Sequence, residues 1–393
     1  MLNLEPITCG RVVQWSLPPS KSHMIRWLML ASQSSGSVAL RFSEIPGADV
    51  SAMADCLESM GAKIVRKDGE WTISGVGRRG FESPNKPLNC GNSGTTARFL
   101  MAMVAGIGEN IRIDGDDSLR GRDMSIVAGA LRDLGCSVSG DSLPLTVQGP
   151  IKSSTARIDL SSSSQPLSAM LLASPSFPFA VRLETHGKGV SRGYFQMSLE
   201  IAKICGSKNH SSSGEIHIIP WEVSLPDSIK MPTEDSLLPI AMLISELHGA
   251  KLELNSKTSI SPAINCLMNK SELLNLRDES DLICPASVLM ALGNGGKISG
   301  AAHSRGKESN RVESTLYLLR CFGMDAKATS DGLEIPGNQS PSRPKKEVDT
   351  HLDHRLAMTA MVLSSKFGGS IMNPEICSVS DPGFINRLLQ LGA

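Results

Sequence analysis

"LESMGAKI", residues 57–64, sets apolar residues at helical spacing, runs them into a glycine and continues as an alternating, strand-like stretch. That order reads as a helix closed by a glycine C-cap that enters a β-strand. The plan returns in "LRDLGCSV" (131–138), "LEIAKICGSK" (199–208) and "LRCFGMDA" (319–326), and "LLQLGA" (388–393) repeats its helical half. The glycines fall at 61, 135, 206, 323 and 392, and a degenerate copy expected around Cys266–Leu276 brings four of the gaps close to about 70 residues. Self-similarity at a fixed period marks duplicated supersecondary units, and this period is too long for a solenoid. Six α/β units in two sets of three are therefore expected, although helix–Gly–strand junctions also occur in unrelated α/β proteins.

The polar segment "NHSSSGEIHIIPWEVSLPDSIKMPTED" carries Pro, Ser and Gly punctuation and places a boundary near residue 230, with an earlier one at Pro18–Pro19. An N-terminal strand paired with the C-terminal half gives one lobe of residues 18–230 and another of 1–17 with 231–393. Low complexity is confined to the serine runs 161–164 and 211–213.

Composition narrows the chemistry. The 393 residues carry 39 Lys+Arg and 39 Asp+Glu, so no bulk field recruits nucleic acid or an anionic membrane, and any anion site is local. Nine cysteines show no C-x-x-C pair and no metal-ligand spacing, which fits reduced thiols in a cytoplasmic protein and predicts neither disulfides nor a bound metal. The start "MLNLEPITCG" lacks a basic segment followed by an apolar one, and no apolar run reaches membrane-spanning length. A soluble, unprocessed chain is expected.

Four helix starts share one character. "LPPSKSHMIR" (17–26) puts Ser20 near an N-cap and Lys21, Ser22 and Arg26 at the mouth of an apolar run, where a cation is unfavourable unless an anion lies nearby. "NCGNSGTTARFLMAMVAGI" (89–107) sets Asn92, Ser93, Gly94 and Thr95 in a small-residue turn with Arg98 one turn inside. "DLSSSSQPLSAMLLA" (159–173) brings Ser163, Ser164 and Gln165, and "HLDHRLAMTAMVL" (351–363) brings Asp353, His354 and Arg355. Such starts suit phosphate or carboxylate binding, and none matches a nucleotide-binding glycine motif. "DSLRGRDM" adds Arg120 and Arg122, and "HSRGKESNR" adds Arg305, Lys307, Glu308 and Arg311. Arginine forks hold oxyanions, and Lys beside Glu can serve as an acid–base pair. The latter segment alone also reads as a solvated charged turn.

Taken in order, "SKSHMIR", "NSGTTAR", "LRGRD", "SSSSQ", "VSRGY" (190–194), "SDL" (280–282), "RGKESNR" and "DHRLAM" resemble the enolpyruvyl transferases, on the branch that acts on shikimate 3-phosphate. They span residues 20–358. The resemblance implies a two-lobed inverse α/β barrel, each lobe built of three βαβαββ repeats, with the first strand swapped into the C-terminal lobe. It implies a cytoplasmic monomer with two small-molecule substrates, no cofactor, and no nucleic-acid or membrane partner. Ser163, Ser164 and Ser191 would hold the 3-phosphate, Ser22 and Arg26 the ring carboxylate, and Asp281, His303 and Lys307 the hydroxyls, with Tyr194 along the ring. Lys21 and Gln165 would touch both substrates, and Asn92, Gly94, Arg122, Arg311 and Arg355 would hold phosphoenolpyruvate. Asp281, Lys307 and Glu308 would supply acid and base.

Several positions depart from the family pattern. His303 stands where Asn is usual, Asn310 where Asp is usual, Asp123 where Pro is usual, and Val379 where a lysine would contact phosphoenolpyruvate. Lys297 is one candidate for a compensating cation. A transferase acting on a UDP-sugar would need a reactive cysteine near "LRGRD", and none lies between Cys90 and Cys136. A catalytically silent phosphate binder would fit Val379 but not the retained Asp281, Lys307 and Glu308. RNA-end processing lacks a basic surface and aromatic residues.

Overall fold

The structure, a computed structural model of the chain, describes residues 1–10, 12–210, 214–255 and 258–392. The serine run 211–213 therefore lies outside the described residues. Two compact units emerge: a first of Ser20–Ser43 with Ala48–Pro232, and a second of Met1–Pro19, Glu44–Gly47 and Thr233–Ala393.

One sheet plan recurs. In the first unit, strands Ser228–Lys230, Ser37–Arg41, Glu70–Ser74 and Lys63–Lys67 lie side by side in that order, the first pair parallel and the others antiparallel. Leu88–Asn89, Asn110–Asp114, Leu145–Gln148 and Ser137–Val138 repeat that order and sense. Thr155–Asp159, Val181–His186 and Glu215–Ile218 form a three-stranded version. In the second unit Leu273–Asn275, Gly295–Ser299, Leu333–Pro336 and Lys327–Ala328 follow the four-stranded plan. The N-terminus completes the other two sheets: Val12–Trp15 pairs in parallel with Lys251–Leu254, and Leu2–Leu4 antiparallel with Gly369–Ile371.

Each unit also holds three helices buried nearly all round. Lys21–Ser32, Gly94–Val104 and Gln165–Ala173 belong to the first, and Leu238–His248, Ile283–Leu292 and His354–Phe367 to the second. Trp27–Ala31, the apolar run at the mouth of which the cations stand, is at most 2% exposed. A fully buried Leu or Met contributes about 1.5–3 kcal/mol relative to exposure, so such helices are fixed by packing. Each unit has its own continuous apolar core. Strands outside and helices inside make each unit an inverse α/β barrel.

The repeated glycine junction is a single hydrogen-bonded device. After the helices Ala48–Ser59, Ser125–Asp133, Arg192–Ile204 and Arg311–Cys321, Gly61, Gly135, Gly206 and Gly323 take φ of +101°, +84°, +91° and +76°. Each donates its N–H to the carbonyl three residues back, and the next residue donates five back, as in Gly61→Glu58 and Ala62→Leu57. The degenerate copy exists. Lys270, with φ +51°, follows helix Pro262–Met268, and the same pair of bonds forms, from the Lys270 N–H to Leu267 and from the Ser271 N–H to Cys266. The expected sixth junction does not form: helix Phe384–Leu389 passes into a 3-10 turn at Gln390–Gly392, and Gly392 stays outside the left-handed region. All nine cysteines are free thiols, and no helix among the described residues is long and apolar enough to cross a membrane.

Candidate active site

In the first unit, three helix starts are tied together. Ser93 caps Gly94–Val104 by accepting the Thr96 N–H at 3.2 Å, and Ser163 Oγ accepts the Gln165 N–H at 3.1 Å. Gln165 donates to Thr95 Oγ1 (3.0 Å) and accepts from Arg98 (2.7 Å), while Ser164 Oγ donates to the Ser191 carbonyl (2.7 Å). Ser191 itself is left-handed, at φ 53° and ψ 36°, just before helix Arg192–Ile204, whose first turn carries Tyr194. Helix N-termini expose backbone N–H groups and the positive dipole end, so their grouping favours an anion.

Arg122 adds charge to this group. It is 8% exposed and donates to Asn92 Oδ1 at 2.6 Å, and Asn92 in turn donates to Asp116 at 2.8 Å. Gly94 permits the approach: a Cβ there would lie 2.8 Å from an Arg98 nitrogen and 3.3 Å from one of Arg122. Arg120 turns away, to a bidentate pair with Asp114 at 2.9 Å for both bonds.

The start at Lys21 differs from expectation. Ser20 does not cap its helix; its hydroxyl sits 3.0 Å from His23 Nδ1, because the ring one turn on competes for it. Lys21 Nζ lies 2.9 Å from Asp49 Oδ2 on helix Ala48–Ser59, and that carboxylate offsets the unfavourable dipole end. Arg26 is 1% exposed. Its Nε donates to Ser198 Oγ (2.8 Å) and its other nitrogens to the carbonyls of Ser22 (2.8 Å) and Tyr194 (3.0 Å), with the Phe99 ring 5.3 Å away. Burial lowers its pKa to about 10, so it remains cationic at neutral pH.

The second unit gathers acid–base chemistry around Arg311, the first residue of helix Arg311–Cys321. Its guanidinium is 1% exposed: Nε donates to Asp353 Oδ2 at 2.8 Å, and the terminal nitrogens reach Asp281 and Glu308, the latter at 2.5 Å. Burial opposes this charge, but Asp353, Glu308 and Asp281 together outweigh it and push the pKa up. Lys307 Nζ stands 3.9 Å from Asp281 Oδ1. "RGKESNR" is thus solvated only in part: Arg305, Gly306 and Asn310 are exposed, Lys307 to Ser309 half-buried and Arg311 buried. Asn310 caps the helix by accepting from Glu313, which an Asp could equally do.

His303, in the 3-10 turn Ala302–Gly306, has a buried Nε2 without a hydrogen-bond partner. Burial and then Lys307 lower its pKa, against Asp281, Asp278 and Asp331, to about 4, so the ring is neutral at pH 7. Arg355 is 3% exposed and donates to the Ser236 carbonyl (2.9 Å) and Oγ (2.7 Å), with its Nε buried and unpartnered. Val379 is 7% exposed in the turn Pro374–Val379, and its carbonyl lies against Gly47, where a Cβ would come within 2.4 Å. Lys297 is half exposed and faces Glu334 at 3.8 Å across the sheet. Arg305 is exposed and donates to the Thr329 carbonyl.

Thus Lys21, Ser22, Arg26, Asn92, Gly94, Arg122, Ser163, Ser164, Gln165, Ser191 and Tyr194 lie in the first unit, and Asp281, His303, Lys307, Glu308, Arg311 and Arg355 in the second. Sequence reasoning missed the groups that hold these in place: Asp49 for Lys21, Ser198 for Arg26, Ser236 for Arg355, and the role of Asp353. Of these only Asp353, at a helix start beside His354 and Arg355, carried a signal. Among the described residues no group of three or more His, Cys, Asp or Glu side chains is placed to hold a metal ion.

Known proteins share this architecture and sequence. A solved EPSP synthase from Acinetobacter baumannii superposes with a TM-score of 0.78 at 22% identity, covering 99% of this chain and 98% of that one. The enolpyruvyl transferase NikO from Streptomyces tendae gives 0.72 at 12% identity, covering 100% and 97%. Among curated relatives, a 3-phosphoshikimate 1-carboxyvinyltransferase from Methanothermobacter thermautotrophicus is 30% identical over 405 residues, 95% of this chain and 94% of the relative. One of the same name from Korarchaeum cryptofilum is 30% identical over 412 residues, 95% of each. The family model described as EPSP synthase (3-phosphoshikimate 1-carboxyvinyltransferase) matches residues 10–236 and 222–388. With the repeated inverse barrel, the grouped helix starts and the Arg311 cluster all in one chain that the family pattern spans almost end to end, the protein belongs to the EPSP synthase family.

Proposed function

We propose that this chain transfers the enolpyruvyl group of phosphoenolpyruvate to the 5-hydroxyl of shikimate 3-phosphate, with its two constellations dividing the work. The hydroxyl adds to C2 of phosphoenolpyruvate as it loses a proton, C3 gains one, and the tetrahedral adduct then expels phosphate. Family membership and the names of the relatives support the reaction. In the first unit Ser163, Ser164 and Ser191 take the 3-phosphate, and Asn92, Gly94 and Arg122 take the phosphoenolpyruvate phosphate, with Lys21 and Gln165 meeting both substrates. Ser22 takes the ring carboxylate and Tyr194 lies along the ring. Arg26, with three of its five donors engaged internally, fixes Ser22 and Tyr194 and offers the remaining two to the ring carboxylate beside Ser22.

In the second unit Arg355 and Arg311 hold the phosphoenolpyruvate anion, and neutral His303 turns its unpartnered Nε2 to a substrate hydroxyl. Asp281, Lys307 and Glu308 move the protons, as acid and base tuned by one buried guanidinium. The observation that carries this reading is the Arg311 cluster, where a buried guanidinium and Asp353 stand with the partly exposed Asp281, Glu308 and Lys307. We also assign a cytoplasmic monomer, which size-exclusion chromatography and cell fractionation test.

Phosphate release by the purified protein, with and without shikimate 3-phosphate, tests the reaction. Release that needs both substrates is expected; none at all would favour a silent phosphate binder. Lys307→Met and Asp281→Ala should each lower turnover by on the order of 10²-fold or more. Near-normal turnover in both variants removes the acid–base assignment.

A further inference from the structure

Among the described residues six non-glycine residues take positive φ, and only His351 (48°) and Leu352 (52°) do so in succession. They lie between Val348, which bridges Ile371, and the helix that begins at His354. An L-residue in this region crowds its Cβ against the following carbonyl; Asn, Asp and His tolerate it better than most, so the strain of the pair rests on Leu352. Leu352 is 41% exposed, so its side chain gains little packing in return. Strain of this kind persists only where surrounding contacts hold it, and it concentrates at functional sites.

What it positions is Asp353. That residue follows the turn directly, is wholly buried, caps the helix by accepting the Arg355 N–H (2.9 Å), and receives Arg311 Nε (2.8 Å) and Ser309 Oγ (3.0 Å) on its other oxygen. Relaxing either φ would swing Asp353 off the guanidinium that organises Asp281 and Glu308. The hold on the turn comes from Tyr317. Its hydroxyl accepts the Asp349 N–H at 3.2 Å, and its ring meets that of His351 edge to face, with centroids 5.1 Å apart and an interplanar angle of 72°. Asp349 Oδ1 in turn accepts the His351 N–H at 2.8 Å. Tyr317 and Arg311 share one helix. A rise of about 1.5 Å per residue separates them by roughly 9 Å along the axis, so one rigid element grips both ends of the strained loop.

We propose that Tyr317 is a positioning residue for enolpyruvyl transfer: it clamps the left-handed His351–Leu352 turn and thereby keeps Asp353 on Arg311. This rests on the function proposed above. Tyr317 touches no reacting atom; its effect passes through the turn. If the clamp matters because the turn is strained, removing the strain makes the clamp dispensable.

Tyr317→Phe deletes the hydroxyl and keeps the ring contact. It should lower kcat by about tenfold, with the KM for shikimate 3-phosphate changing less than about twofold, because that substrate's phosphate is assigned to the other unit. Amide hydrogen exchange at residues 349–353 should quicken by about tenfold in the same variant without substrates present. Leu352→Asn, which suits the left-handed region, should leave turnover unchanged, and Tyr317→Phe combined with Leu352→Asn should restore both kcat and exchange to near wild type. Tyr317→Phe with unaltered kcat and exchange overturns the proposal, as does a double variant as impaired as the single. The exchange arm reads the clamp without any turnover, so failure of the assigned reaction is told apart from failure of the clamp.

Discussion

Replacing Arg311 with Met tests whether the second unit's chemistry is built on a buried charge. The guanidinium is 1% exposed and its most buried carboxylate, Asp353, is 0% exposed, with Glu308 and Asp281 at 16% and 19%. Two unit charges about 4 Å apart at an effective dielectric near 20 attract by about 4 kcal/mol, and removing one partner of a buried pair typically costs about 3–5 kcal/mol because the other charge is left desolvated. Methionine fills much of the volume, so the loss is electrostatic rather than a cavity, and Arg311→Met should destabilise the second unit by about 3–5 kcal/mol. Urea denaturation without ligand, followed by fluorescence and by amide exchange in residues 233–392, measures it. Adding Asp353→Asn removes the stranded charge while keeping a residue that caps equally well, so the double variant should regain on the order of 1 kcal/mol or more. A single-variant loss below about 1 kcal/mol, the range of an exposed pair, would refute the reasoning.

Lys270→Gly should stabilise the chain by about 0.5 kcal/mol, since relief of a left-handed L-residue, worth about 1–2 kcal/mol, exceeds glycine's entropic cost and the exposed contact to Glu246. A clear loss in the denaturation midpoint would show that the side chain does more than occupy the cap. His303 has a native pKa of about 4 against the ordinary histidine value of 6.5. Between those values the unfolded chain binds more protons, so stability falls as pH drops from about 6.5 toward 4. His303→Asn should lose that component; a Tm difference between the two proteins that stays constant from about pH 7.5 to 4.5 contradicts it.

Local chemistry was legible without a structure. Gly61, Gly135, Gly206 and Gly323 announce their junctions because a left-handed C-cap needs no partner beyond the turn it closes, and the starts at Ser93, Gln165 and Asp353 are likewise short-range. The resemblance motifs named most candidate residues for the same reason: each is a contiguous run. Lys270 shows the limit of pattern reading. Its backbone makes the same bonds as the glycine junctions although its residue type does not advertise them, so the copy near Cys266 was visible by spacing alone.

Whatever depends on which groups face each other came from long-range packing. Arg311 meets Asp281 and Asp353 across 30 and 42 residues of chain, and Arg26 meets Ser198 across 172. No local propensity encodes those separations. Only packing of the buried helices brings the partners together, and the low dielectric there turns an ordinary charged segment into a held constellation. The same packing committed Lys21 to Asp49 and Lys297 to Glu334, so two cations of similar appearance in the sequence ended in different roles. The repeating junctions and the residue types of the site could be read along the chain, because they follow from its short-range geometry; burial and partnership were left to the fold, because they are properties of the space between distant segments.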